Sequence, residues 1–273
     1  MNSTTRFGMV QGRLTQSPPG CLQWFPQSSW QKEFSIASKI GVNYIELIAE
    51  VQHNAKNPIW TNDGIEKIKQ LVKAGNLTLH ALCNDYIVEN SFLDEGVIQQ
   101  NIELLEQGKK LGVEKYIMPF FESSELTTEN MQEYIEPLKR IAKVADDAGI
   151  MVCLETILTG SELLKLLGLI DMPNVKAVYD TGNRVAFGHD LAGDIRLLGD
   201  SIAHVHIKDK NSDNANVLLG TGLVNFESVF FALNDIDYSG PYTFETTRGS
   251  NPINTAKYNM NLVNFFKDNS ENA

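Results

Sequence analysis

Short apolar runs alternate with longer amphipathic stretches along this chain, and the alternation repeats eight times. The runs cover 7–10, 44–48, 77–82, 115–119, 151–154, 175–179, 202–207 and 242–244. Their length and their Val, Ile, Tyr and Phe content read as strands. Amphipathic stretches at about 30–39, 65–73, 95–111, 129–148, 161–168, 191–198, 226–233 and 254–266 read as the intervening helices. Gly41, Gly75, Gly112, Gly149 and Gly199 close five of them, as a glycine past a helix end commonly does. Pro137 predicts a kink or break in the fourth. Strands alternating with helices predict a parallel sheet, and eight such units in 273 residues predict one closed (β/α)8 barrel spanning 1–273.

In such a barrel every strand opens its C-terminal end onto one face, where active sites sit. Four successive runs reach that face with a metal-ligand side chain. The fifth stops at Glu155, the sixth at Asp180, the seventh carries His206, and the eighth stops at Glu245. Three carboxylates and an imidazole are a donor set suited to one divalent cation: Mn, Mg or Co by the oxygen-rich shell, with Zn admitted by the imidazole.

Composition narrows the function classes. A net charge of -11 disfavours nucleic acid as a partner. Cys21, Cys83 and Cys153 form neither a disulfide framework nor a thiolate zinc cluster. No run approaches the ~20 apolar residues of a membrane span, and 1–10 lack a secretory pattern. A cytoplasmic enzyme with a small-molecule substrate is the expectation; whether it forms a homo-oligomer is left open.

Leu154-Glu155, Tyr179-Asp180-Thr181-Gly182-Asn183, His204-Val205-His206-Ile207-Lys208-Asp209 and 219–226 together resemble the sugar phosphate isomerase/epimerase branch of the xylose isomerase-like barrels, as does Phe244-Glu245 followed by Asn251-Pro252. The resemblance covers nearly the whole chain and is strongest from Glu155 onward. It implies that Glu155, Asp180, His206 and Glu245 hold the metal, and that Glu155 and Glu245 also serve as the acid/base pair. The implied reaction is isomerisation or epimerisation of a small sugar, sugar phosphate or keto-polyol through a metal-stabilised enediolate. A lyase or dehydratase is the alternative on the same scaffold. A repair endonuclease and a non-catalytic sugar-binding barrel rank below it. Repair enzymes of the endonuclease IV type, and the tagatose- and psicose-type epimerases, carry a histidine where this chain has Asn183. Those epimerases also carry an arginine where it has Ser212. The metal site therefore transfers more securely than the free-sugar mechanism.

Several residues have two readings. His204 and His206 point to the same side of their strand; His206 is read as the ligand and His204 as a hydrogen-bonded core histidine. Lys208 continues that face, to reach a substrate oxygen or phosphate, or to be a solvated loop lysine. Glu46 within the second strand and His80 at the end of the third are read as contacts to substrate hydroxyls or as internally paired groups. The long first loop offers Gln11, Arg13 and the pair Trp24-Phe25, as a sugar-binding wall with a cation or as a packed lid. Asn183 and Arg248 complete the expected substrate-binding set. Gly220-Thr221-Gly222 reads as a turn.

Overall fold

The computed structural model describes residues 5–272. Its strands are β1 (Phe7–Val10), β2 (Tyr44–Ala49), β3 (Ala81–Asn84), β4 (Lys115–Pro119), β5 (Met151–Glu155), β6 (Val175–Asp180), β7 (Ile202–Ile207) and β8 (Tyr242–Phe244). All are parallel and close into a barrel in sequence order, β8 pairing with β1 through Phe7 opposite Tyr242. This is the (β/α)8 barrel that the alternation predicts. Met1 to Thr4 and Ala273, which the expected 1–273 domain includes, lie outside the described residues.

The outer ring comprises α1 (Trp30–Ile40), α2 (Asn62–Gly75), α3 (Tyr86–Glu89), α4 (Glu95–Leu111), α5 (Met131–Asp147), α6 (Gly160–Ile170), α7 (Thr181–Ala186), α8 (Leu191–Leu198), α9 (Phe226–Asp235) and α10 (Pro252–Glu271). Local chemistry sets their ends. Thr159 and Glu162 form a reciprocal capping box that starts α6. Gly112, at φ 82°, ends α4 in the left-handed conformation that glycine adopts without a Cβ penalty. Two expectations are corrected here. Gly75 is the last helical residue of α2, and Asn76 takes the left-handed position after it. Pro137 sits inside a single unbroken α5.

The third strand is displaced from its expected span of 77–82. Leu77 still closes the α2 turn, its N–H bonded to the Val72 carbonyl, and Thr78 bonds Asn43 at the bottom of the barrel. Pairing with β4 starts only at Ala81 opposite Lys115. β3 therefore ends at Asn84, with Asp85 at its rim.

Aliphatic and aromatic side chains fill the layer between strands and helices, including Ile45, Leu47, Leu82, Met118, Val152, Leu154, Val205 and Phe244, each at most 2% exposed. The barrel interior is polar by contrast. Tyr44, Glu46, His204, His206 and Thr243 are all buried there and contact one another. Gly8 on β1 makes room for this layer, because a Cβ there would overlap the Tyr44 ring. Among the described residues no helix is long and apolar enough to cross a membrane. Cys21, Cys83 and Cys153 are free thiols.

Candidate metal centre and active-site pocket

Glu155 is the last residue of β5, Asp180 the last of β6, His206 the penultimate residue of β7, and Glu245 follows β8. Parallel register carries all four to one rim, and Asp180 stands directly beside His206 in the β6–β7 pairing. One donor atom from each lies within 4.8 Å of the others. His206 Nδ1 is 3.5 Å from Glu245 Oε2, 3.6 Å from Glu155 Oε2 and 3.9 Å from Asp180 Oδ2.

The other imidazole nitrogen, Nε2, sits 3.0 Å from Glu46 Oε1. A carboxylate behind a histidine fixes its tautomer and ring direction, leaving the opposite nitrogen for a ligand. The Nδ1 that Glu46 frees is buried without a hydrogen-bond partner, and Asp180 Oδ2, also buried, is met by the Lys208 ammonium at 3.1 Å. Buried polar atoms without partners are uncommon in folded proteins. An imidazole nitrogen left open toward three carboxylates fits a cation.

Charge in the cage is finely opposed. Burial pulls the His206 imidazolium down, but Glu46, Glu155 and Glu245 outweigh it and hold His206 protonated well above its usual range. Binding a cation there requires loss of that proton. Burial pushes Asp180 up, against Lys208 and with the help of Glu155 and Glu245. Glu245 is held well below the usual carboxylate range, since Lys208 and His206 overcome its burial. Glu46 is brought down to about 2, its burial outweighed by His206 and His204.

The expected substrate residues divide. Lys208 enters the cage itself, its Nζ 2.6 Å from Glu245 Oε2 and 3.1 Å from Asp180 Oδ2. Gly182 permits this, because a Cβ there would press on the Lys208 side chain. Asn183, in the first turn of α7, donates its side-chain amide to Glu155 Oε1 at 2.8 Å and its backbone N–H to Asp180 Oδ1 at 2.6 Å. Both line the cavity of about 390 Å³ above the cage, with Glu46, Glu155, His206 and Glu245.

The others lie elsewhere. His80 stands ahead of β3, at the opposite end of the barrel from the rim, beside Tyr44 and His204 and bonded to Glu114. The shifted start of β3 accounts for this. Gln11 is buried with its Oε1 accepting from the Ile48 N–H. Arg13 donates to the Leu22 carbonyl and to Gln23 Oε1, 3.6 Å behind Glu245. Arg248 donates to the carbonyls of Gly12 and Cys21. None of these four lines the cavity; both arginines satisfy the backbone of the first loop, which is the packed-lid reading. His204 is a core histidine, its Nε2 near Thr243 Oγ1 and Glu46 Oε2.

Several pocket residues escaped the sequence reading, Gln23 and Asp85 among them. Gln23 donates its amide to Glu245 Oε1 at 2.9 Å, and nothing in the first loop's sequence marks that reach. Asp85 lines the cavity beyond β3. Burial first, and then Glu245 and Glu155, push its carboxyl up to about 7, against a hydrogen bond from Cys83. A correct end for β3 would have made it a fifth strand-end carboxylate.

Comparison with known proteins places the fold. The family described as Xylose isomerase-like TIM barrel matches residues 34–267. L-ribulose 3-epimerase of Methylomonas sp. (strain DH-1) is 28% identical over 234 residues, 79% of this chain and 78% of that protein. L-ribulose-5-phosphate 3-epimerase UlaE of Escherichia coli (strain SMS-3-5 / SECEC) is 23% identical over 235 residues, 79% of this chain and 81% of that protein. In structure, a D-allulose 3-epimerase from Methylomonas sp. superposes with a TM-score of 0.74 at 22% identity, covering 96% of this chain and 98% of that one. The chain belongs to the xylose isomerase-like TIM barrel family, in its sugar isomerase/epimerase branch.

Proposed function

We propose that this chain is a divalent-metal-dependent isomerase or epimerase of a small keto sugar, sugar phosphate or keto-polyol, working in the cytoplasm as one domain over 1–273. The observation that carries the reading is the four-residue cage with His206 Nδ1 unpartnered in it. Glu155, Asp180, His206 and Glu245 would hold the ion: Mn, Mg or Co by the carboxylates, with Zn also suited to the imidazole. Bound there, a divalent cation would supply Lewis-acid polarisation of the substrate carbonyl, which acidifies the neighbouring C–H.

Moving the proton is the work of the chain. Glu155 and Glu245 come from strands separated by β6 and β7, so they approach a sugar carbon from different sides. Each has its Oε1 held by a side-chain amide, from Asn183 and Gln23 respectively, and its Oε2 turned toward His206. One carboxylate removes the proton and the other returns one to the opposite face, which inverts the carbon. Return to the adjacent carbon would instead transfer the carbonyl. The names of the two curated relatives, 3-epimerases of L-ribulose and of its 5-phosphate, favour inversion. Positioning of this kind can supply a large share of the rate.

The test is a panel of free and phosphorylated ketoses in deuterated water, with chelated protein reloaded with Mn. Carbon-bound deuterium beside the carbonyl, dependent on metal, is expected for at least one. Loss of water instead of exchange would assign the dehydratase alternative, and no reaction across the panel would remove the reading.

A further inference from the structure

A second cavity, of about 450 Å³, adjoins the metal pocket on the β2 side. Gln23, Val51 and Asp85 line both, so the two spaces meet at those three side chains. The metal pocket already falls within the usual range for a small ligand, about 300–1,000 Å³. A space of similar size opening beside it calls for a second piece of substrate.

The lining tells what that piece is. Trp24 and Phe25 supply aromatic surface, with Trp24 36% exposed. Sugar rings present an apolar C–H face and a polar rim, and such rings need an apolar wall with a few fixed polar groups. Those groups are present. Glu50 takes amide bonds of 2.6 Å from both Asn54 and Asn57, which holds its carboxylate in place at the wall. Gln52 is steadied by a 2.9 Å bond to Glu89. No lysine or arginine among the described residues lines this space, while Glu50 and Asp85 do. A phosphate or carboxylate would be repelled there.

The junction carries an independent sign of a ligand. Asp85 is 4% exposed, and its Oδ2 has no hydrogen-bond partner. A buried carboxyl oxygen left open where two cavities meet lacks a donor, which a hydroxyl of a bound sugar would provide.

We propose that the substrate is a keto sugar in glycosidic linkage to a second, uncharged sugar ring, with the carbonyl-bearing unit over the metal cage and the second ring in the chamber walled by Trp24, its linkage region held by Asp85. This rests on the isomerase/epimerase reading and narrows its substrate class. Free ketoses would then engage half of the available site, and phosphorylated ones would gain nothing from the chamber.

Binding calorimetry with Mn-loaded protein tests this without any need for turnover. The probes are D-fructose, D-fructose 6-phosphate, and glycosyl fructoses linked through O3, O4 and O6. At least one glycosyl fructose should bind about tenfold more tightly than D-fructose, a difference of about 1.4 kcal/mol, and the phosphate should bind no better than D-fructose. Trp24→Ala should bring that glycosyl fructose down to the level of D-fructose. Gln52→Ala, at a second exposed position, should reduce the same preference and stands in if Trp24→Ala does not fold. The proposal is overturned if no glycosyl fructose gains over D-fructose, if the phosphate binds best, or if the variants weaken one-ring and two-ring ligands equally. Metal-dependent deuterium exchange into D-fructose or another free ketose would survive any of these results, so the narrower proposal can fail while the reaction class stands.

Discussion

Strands β5 to β8 and strands β1 to β4 end on the same rim, but they equip it differently. The later half delivers Glu155, Asp180, His206 and Glu245 directly into the cage. The earlier half contributes from behind and beside. Glu46 on β2 orients His206, Gln23 and Arg13 from the first loop brace Glu245, and Asp85 beyond β3 borders the pocket without joining the cage. Donors at adjacent strand ends need no long side-chain reach, and the interior of the barrel is then free to hold the carboxylate that aims the imidazole. On the proposed reaction, the comparison separates residues that would meet the reacting groups from residues that would hold them, and each class should fail in its own way when altered.

The largest effects belong to the later half. Glu155→Gln and Glu245→Gln keep shape and one ligating oxygen but cannot accept a proton. Each should lower turnover by ~10²–10⁴-fold at saturating metal, the usual size for general acid–base catalysis. Near-normal rates in both would reduce the glutamates to ligands, with Lys208 as the next group to test. Glu46→Gln should leave turnover at saturating metal much closer to normal while weakening metal binding by ~10–100-fold, as loss of a carboxylate behind a metal histidine does. Metal titration by calorimetry measures it. If Glu46→Gln behaves like the two glutamate variants, the division between the halves collapses.

Arg248 sharpens the same contrast from the stability side. It donates to the Gly12 and Cys21 carbonyls, which sit in the loop that Glu33 also secures through the Gly12 and Leu14 N–H groups. Arg248→Met removes two charge-assisted bonds at about 1.5 kcal/mol each, so urea unfolding should show a loss of about 3 kcal/mol. Metal affinity should hold. Unchanged stability together with a raised KM would instead return Arg248 to the substrate set.

What the sequence showed and hid follows this division. Strand-end residues of β5 to β8 were legible because a period-two pattern and an abrupt stop place a side chain without knowledge of any loop. Arg13 and Arg248 were not, because the path of the loop after β1 decides whether an arginine reaches the pocket or a carbonyl, and that path has no periodicity. Asp85 was lost for a different reason. Leu77 and Leu79 look like strand residues, yet Leu77 finishes the turn after α2, and the shift hid an acid at the rim while promoting His80 to it.

His80 gives the smallest effect and the cleanest check on that misplacement. Burial, with Lys115 and His204 adding to it, depresses its pKa to about 3. Glu114 lies 2.8 Å from its Nδ1 but has a side chain 63% exposed, so solvent screens the attraction and burial prevails. In the unfolded chain the imidazole titrates near about 6.5. Above that pH both states are neutral and His80 costs nothing. As pH falls below it, the unfolded chain binds a proton that the fold resists, so stability declines toward about pH 3. Glu46 acts in the same direction at lower pH, while Asp85, raised to about 7, adds stability as pH falls through that range. The His80 contribution must therefore be taken as a difference between proteins. From pH 7.5 to 5.5 the parent should lose about 1 kcal/mol relative to His80→Gln, since one pKa unit is worth about 1.4 kcal/mol and titration is partial over that span. Urea midpoints at both pH values give the comparison. Parallel pH profiles would mean that His80 charges freely in the fold, and a fall in turnover without any change in pH slope would place it back at the rim.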